Sequence, residues 1–222
     1  MAVLLSELDS NLIEWWRLNG RSFPWRETNN PFSLFVAEVL LHRTRADNIK
    51  KIYMNLMKQF KSFKELSDSE ESNLMNLLSP LGLKWRSLKL FQASRVISEY
   101  YGGRLPLNRT SLMRLPGVGD YIASAILTFL GLSDEPVIDT NTIRVISRLK
   151  GLKVHDATRK GKEIRTLYRL LENGSNPREF AYALIDMAAL ICVPKKPVCE
   201  ICPVNLHCKT GRERLVPPSS EH

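Results

Sequence analysis

LPGVGDYIASAI, residues 115–126, is the stretch on which the reading of this chain turns. A proline, two glycines and an acid precede a run with helical spacing of apolar residues. Pro116 stiffens the approach, and Gly117 and Gly119 are expected to supply positive φ on either side of Val118. Asp120 then falls in the first turn of the next helix, where negative charge meets the positive end of the helix dipole. Backbone amides at such a start, unshielded by side chains, form a ready anion site. A bare GxG between helices is ordinarily only a connector. The longer string changes that balance: NRTSLMR precedes the turn, and Ala123, Ala125 and Leu127 follow it.

Outward from the hairpin, the pattern stays helical. Ser6 and Asp9 form a candidate capping pair for a helix bearing Leu8, Leu12, Ile13, Trp15 and Trp16. FPWRETNNPF, residues 23–32, reads as a proline-bounded loop. FSLFVAEVLLHRT and ADNIKKIYMNLMKQF carry apolar residues at helical spacing. Further helices are expected over 68–78, 84–101, 108–114, 119–131, 139–150, 157–171 and 177–191. Turn chemistry separates them at PLG 80–82, YGGRLP 101–106 and ENGSNP 172–177. Only PVI, 136–138, looks like a strand, so the expected class is all-α.

The 222 residues suffice for one large domain or two small lobes. Thirty-two basic residues against 23 acidic ones give a formal charge of +9, which points toward a polyanion such as nucleic acid. The N-terminus has no cationic n-region, and no apolar run reaches the ~20 residues of a membrane span. The expected setting is therefore intracellular, cytoplasmic or nucleoid-associated, where disulfides are rare. In that setting the four cysteines, all between 192 and 208, stand out. CVPKKPVCEICPVNLHC spaces Cys192, Cys199, Cys202 and Cys208 as C-x6-C-x2-C-x5-C, a single 17-residue loop. Four thiolates suit zinc and a 4Fe–4S cluster alike.

The turn with its flanking helices resembles a helix-hairpin-helix, a sequence-neutral clamp for DNA phosphates. The cysteine spacing matches the cluster loop of the endonuclease III family of base-excision DNA glycosylases, and the resemblance runs from FPWRETNNPF to the last cysteine. It implies a 4Fe–4S cluster on the four cysteines, structural or DNA-positioning, and two helical lobes with a DNA cleft between them. The six-helix lobe would span 30–132, and the cluster lobe would join 1–29 to 133–222. The implied partner is double-stranded DNA with a mismatched or damaged base, and the implied state is a monomer.

Within that family, the residue two after the hairpin's second glycine lies in the base pocket. Here it is Tyr121. Bifunctional members carry a lysine there, which forms a Schiff base with the sugar, and adenine-mismatch members carry a serine. Tyrosine is similar to the thymine-mismatch branch. A phenol near its ordinary pKa of ~10 stays protonated at neutral pH and forms no imine, but its ring can stack on a flipped pyrimidine. Without the resemblance, Tyr121 would read as packing at a helix start.

Asp139, in VIDTNTIRV, corresponds to the family aspartate that faces the sugar, where a carboxylate stabilises an oxocarbenium-like centre or orients water. Taken alone, it is equally a good N-cap. Glu38 stands on an otherwise apolar helix, where a lone carboxylate needs a partner. In the family it assists base protonation or water activation; a structural ion pair is the plainer reading. By the same resemblance, Arg43 fills the hole left by the flipped nucleotide and Leu83 wedges beside the opposite base. Gly117, Val118 and Gly119 meet the backbone, Lys195 and Lys196 touch phosphates, and the carbonyls of Met113, Leu115 and Val118 offer a monovalent cation site. EVLLHRT and FPWRET suit both the adenine and the thymine branches.

The expected reaction is hydrolysis of the N-glycosidic bond of thymine or uracil opposite guanine, leaving the strand intact. An adenine glycosylase acting opposite oxidised guanine is the first rival. Tyr121 speaks against it, and with only 14 residues after Cys208 no second domain is expected to read the oxidised base. A non-catalytic DNA-binding module is the rival of another class.

Overall fold

The computed structural model describes residues 2–82, 84–153 and 162–215, with side chains from Glu7 onward. Among them the chain is helical, with no strand. PVI 136–138 forms neither strand nor helix; the Val137 side chain is buried and its carbonyl accepts from Thr142 Oγ1 at 3.2 Å. The chain divides into two compact units, Ser22–Glu135 and Met1–Arg21 with Pro136–His222. Residues 22–29 therefore belong with the hairpin-bearing unit rather than the cysteine-bearing one, because Phe23 and Trp25 are buried in its core. Residues 133–135 also stay there, with Thr128 Oγ1 donating to the Glu135 carbonyl at 2.9 Å.

The Ser22–Glu135 unit is built around α2 (Pro31–Leu41). Asn30 starts this helix: its Oδ1 accepts from the Phe32 and Ser33 amides at 2.9 and 3.1 Å, with Pro31 at the first helical position. The sequence PFSLFVAEVLL is apolar all round, and the helix is correspondingly enclosed. It packs on α3 (Ala46–Gln59), α6 (Lys84–Tyr100) and α8 (Asp120–Phe129). Two further helices, α4 (Phe63–Asp68) and α5 (Glu71–Leu78), cover α6. A single helix over 68–78 was expected here; α4 is separate because Ser62 Oγ accepts from the Glu65 amide at 3.1 Å. The Glu65 carboxylate returns to the Lys61 amide at 2.8 Å, in the manner of a capping box. Rings tie the loop 22–30 to this core. Phe23 stacks on Trp25 at 4.8 Å, and Trp25 meets Tyr53 edge-on at 5.2 Å. Contacts of this kind contribute about 0.5–1.5 kcal/mol beyond their buried area.

In the other unit, α1 (Ala2–Asn19) packs on α11 (Pro177–Leu190), beside α9 (Thr140–Lys150) and α10 (Lys162–Glu172). Because α1 begins at Ala2, Ser6 lies inside it and is not its cap. The fully buried Asp186 joins the two ends of the chain. It accepts from Trp16 Nε1 at 3.2 Å, from the Arg21 amide at 2.8 Å and from Arg21 Nε at 2.8 Å. A wholly buried carboxylate left without these donors would be costly, and together with Leu8, Leu12 and Ile13 in the core it makes the first 21 residues fold with the last third of the chain. Of the helix expected over 157–171, residues 157–161 lie outside the described residues, and α10 covers the remainder. A last short helix, α12 (Lys209–Leu215), follows the last cysteine.

Candidate active site

The hairpin begins with α7 (Arg109–Leu112), a single turn capped by Asn108, whose Oδ1 accepts from the Ser111 amide at 2.9 Å. Arg109 reaches over to α8, donating to Ser124 Oγ at 2.9 Å and forming an ion pair with Asp120. The two glycines differ from expectation. Gly117 alone has positive φ, at 83°, and a Cβ there would stand 2.9 Å from Lys89 Cβ on α6. Gly119 is extended, with φ −102° and ψ −174°, a conformation open to any residue. A Cβ on Gly119 would meet no described protein atom within 4 Å, so its need for glycine is not set by the described fold. Val118 between them is buried, and its amide donates to the Leu115 carbonyl at 3.1 Å. No side chain caps α8 at Gly119, so the positive end of its dipole carries no capping oxygen from residue 119.

Tyr121, the second residue of α8, is half-buried against the core of this unit. Glu38 lies on α2, the helix packed on α8, and only 2% of its surface is exposed. Just beyond α2, Arg43 is exposed with φ +59°, a left-handed conformation that is unusual for a non-glycine residue. Arg86 on α6 holds this turn from beneath. Its Nη1 donates to the carbonyls of Leu40 and His42, the latter at 3.0 Å, and to Thr44 Oγ1 at 2.8 Å. Arg86 is buried, its Nη2 has no hydrogen-bond partner among the described residues, and burial lowers its pKa from the ordinary value. Sequence reasoning missed Arg86, although it lies on one helical stripe with Leu90, Ala93 and Ile97, where a cation is conspicuous. Leu83 lies outside the described residues.

Asp139 is the N-cap of α9. Its Oδ1 accepts from the Thr142 amide at 2.7 Å and from Thr142 Oγ1 at 2.9 Å, while Oδ2 accepts from Asn141 Nδ2 at 2.7 Å. The Asn141 carbonyl oxygen accepts in turn from Arg144 Nη1 at 2.9 Å. Arg144 also donates to the carbonyls of Cys192 and Ala188, each at 2.9 Å, so the carboxylate and the cysteine loop hang on one guanidinium. Arg148, one turn further, donates to the Val193 carbonyl at 2.8 Å and to Cys192 Sγ at 3.4 Å. Two arginines four residues apart, directly after a capping aspartate, were the available signal for this clamp.

The four cysteines are all free, with Cys199 buried and the others partly so. Cys192, Cys202 and Cys208 pack against the core of this unit. Burial pushes the Cys202 thiol up to about 11, and its cysteine neighbours add to the rise. Burial also raises the Cys199 and Cys208 thiols; Arg214 opposes this at Cys199, and the Gly211 amide, 3.2 Å from Sγ, opposes it at Cys208. Among the described residues, no three Cys, His, Asp or Glu side chains are placed to hold a single metal ion. The donor chemistry still fits a thiolate-bound group: four thiols outside any disulfide, with N–H donors on the sulfurs of Cys192 and Cys208. Lys195 and Lys196 stand exposed at the head of the loop. No helix among the described residues is long and apolar enough to cross a membrane.

The chain is similar in sequence and fold to known proteins. Residues 36–170 match the model of the HhH-GPD superfamily base excision DNA repair proteins. The thymine-DNA glycosylase of Aeropyrum pernix is 35% identical over 92% of this chain and 94% of its own. The thymine/uracil-DNA glycosylase of Methanothermobacter thermautotrophicus is 34% identical over 90% of each chain. Among solved structures, a thermostable thymine-DNA glycosylase superposes with a TM-score of 0.87 at 32% identity, covering 95% of this chain and 97% of that one. On sequence and fold together, the chain belongs to the HhH-GPD superfamily of base excision DNA repair proteins.

Proposed function

We propose that this protein is a monofunctional DNA glycosylase that hydrolyses the N-glycosidic bond of thymine or uracil mispaired with guanine. The observation that carries the reading is Tyr121, half-buried as the second residue of an uncapped helix after the glycine turn. A nucleophilic amine at that position would make a strand-cutting enzyme; a phenol leaves hydrolysis. In this reading the positive end of α8 receives a phosphate over Gly119, and Tyr121 stacks on the flipped pyrimidine. Asp139 meets the positive charge that develops at C1′ as the bond to the base breaks. The bond electrons leave with the base, Glu38 assists its protonation or activates water, and the water oxygen ends on C1′. Lys195 and Lys196 meet phosphates, and Arg43 fills the vacated position in the stack. Names of the relatives support thymine and uracil as the bases released.

Cys192, Cys199, Cys202 and Cys208 would hold a 4Fe–4S cluster, which supplies a covalent cross-link to the loop carrying Lys195 and Lys196. Its bound thiolates would accept the N–H donors already found at Cys192 and Cys208. The test is to incubate the protein with duplexes carrying G·T, G·U, A·8-oxoguanine or thymine glycol, then treat with alkali. G·T and G·U strands should break only after alkali. Release of adenine with pyrimidines untouched would overturn the assignment.

A further inference from the structure

Trp85 is the most exposed of the four tryptophans, with 41% of its surface open, although it lies at the first turn of a well-packed helix. Its ring is braced edge-on by His42 at 5.5 Å, with an interplanar angle of 86°. Partial burial, with Arg43 and Arg86 nearby, lowers the His42 pKa and favours the neutral ring at pH 7. Around the two rings, Arg43, Arg45 and Lys84 are exposed, and neither 39–46 nor 79–98 contains an acid. Buried Arg86, adjacent to Trp85 in sequence, is bonded to the carbonyls of Leu40 and His42 and to Thr44 Oγ1, so the two segments are one preorganised surface. An exposed indole among cations of one sign is poorly suited to an apolar protein partner. It suits a base between phosphates, since every base offers a π-face and every phosphate an anion. A paired duplex shows proteins only base edges; ring faces open where the stack is broken.

We infer that Trp85, braced by His42, is a stacking platform for a nucleobase exposed where the duplex opens at the mismatch, with Arg45 and Lys84 holding the adjoining backbone. This rests on the glycosylase reading, and the experiment separates the two. The protein, Trp85→Phe and Trp85→Ala are titrated with G·T and fully paired G·C duplexes while tryptophan emission is followed, and base release is measured in parallel. The G·T duplex should quench emission more than the paired one, and Trp85→Phe should abolish that difference. Trp85→Ala should bind the mismatch about ten-fold more weakly, with Trp85→Phe near the parent, as expected for one stacked base. Quenching that persists in Trp85→Phe, or that is equal for both duplexes, overturns the platform. Should Trp85→Ala not fold, Trp85→Phe decides alone through the quench. Base release without Trp85-dependent quenching removes only the platform; such quenching without release from any duplex removes the glycosylase reading and leaves the platform standing.

Discussion

At Asp139 a single carboxylate both starts a helix and stands at the proposed centre of the reaction. Oδ1 is occupied by the amide and hydroxyl of Thr142, and Oδ2 by Asn141. Asn caps helices about as well as Asp, so Asp139→Asn should change stability by no more than about 1 kcal/mol. The same change removes the charge that offsets the developing cation and should lower the single-turnover rate by about 10²–10³ or more, with duplex binding kept. Near-normal turnover would reduce Asp139 to a cap. Tyr121 allows the converse experiment, in which a function is added. If its Cα–Cβ bond aims at the flipped nucleotide, Tyr121→Lys places an amine near C1′. The variant should gain strand cleavage and be trapped on DNA by borohydride, with Tyr121→Ser as the control that lacks an amine. A folded lysine variant that releases the base and never traps would show that residue 121 does not face the sugar.

Among the elements, the hairpin separates two glycines that look equivalent in LPGVGD. Gly117 is required by the fold twice over, through φ of +83° and through the approach of Lys89 Cβ. Gly117→Ala should therefore lower stability by about 1–3 kcal/mol in thermal melts. Gly119 is extended and open, but it is the N-cap of α8, where alanine is a poorer cap than glycine, so Gly119→Ala should lower stability by no more than about 1 kcal/mol. If that open space belongs to a phosphate, Gly119→Ala should nevertheless weaken duplex binding, and the loss should shrink as salt is raised. Equal effects of the two substitutions on melting and on binding would deny this division of labour. Helix α9 shows similar economy: its first residue is capped by Asp139, and its Arg144 and Arg148 hold the cysteine loop by carbonyl oxygens. Neither arginine is replaceable by lysine without loss, since one ammonium lacks the fork that reaches several carbonyls.

For the whole molecule, the two hydrophobic cores share no residue, one drawn from 22–135 and the other from the two ends of the chain. A change confined to one core should thus be felt unequally. Cys202→Ser removes a proposed cluster ligand that packs against the second core. The purified variant should lose iron and visible colour, and hydrogen exchange should rise in 136–153 and 162–215 while 22–135 keeps its protection. Unchanged iron content with unchanged exchange would deny Cys202 a ligand role. The formal charge of +9 belongs to this scale as well, as a source of general attraction to a polyanion that carries no base specificity.

What the sequence determined by itself is what lies within a few residues along the chain. Helical periodicity, the cap at Asp139, the glycine turn and the C-x6-C-x2-C-x5-C spacing are all of this kind, and with them came the fold class, the hairpin and the candidate residues Tyr121, Asp139 and the cysteines. Tertiary structure alone decided the pairings made across distance. Arg86 finds the Leu40 carbonyl 46 positions away, and Arg144 finds the Cys192 carbonyl 48 positions away. Asp186 draws in Arg21 across 165 positions, and Lys89 packs against Gly117. The physical reason is one of range. A cap or a period is satisfied by near neighbours whatever the rest of the chain does, whereas a buried charge must be satisfied by whichever segment packing brings to it. That is also why the border between the units fell at Arg21 and Ser22: Asp186 holds the residues before it, and the core around Trp25 holds those after it.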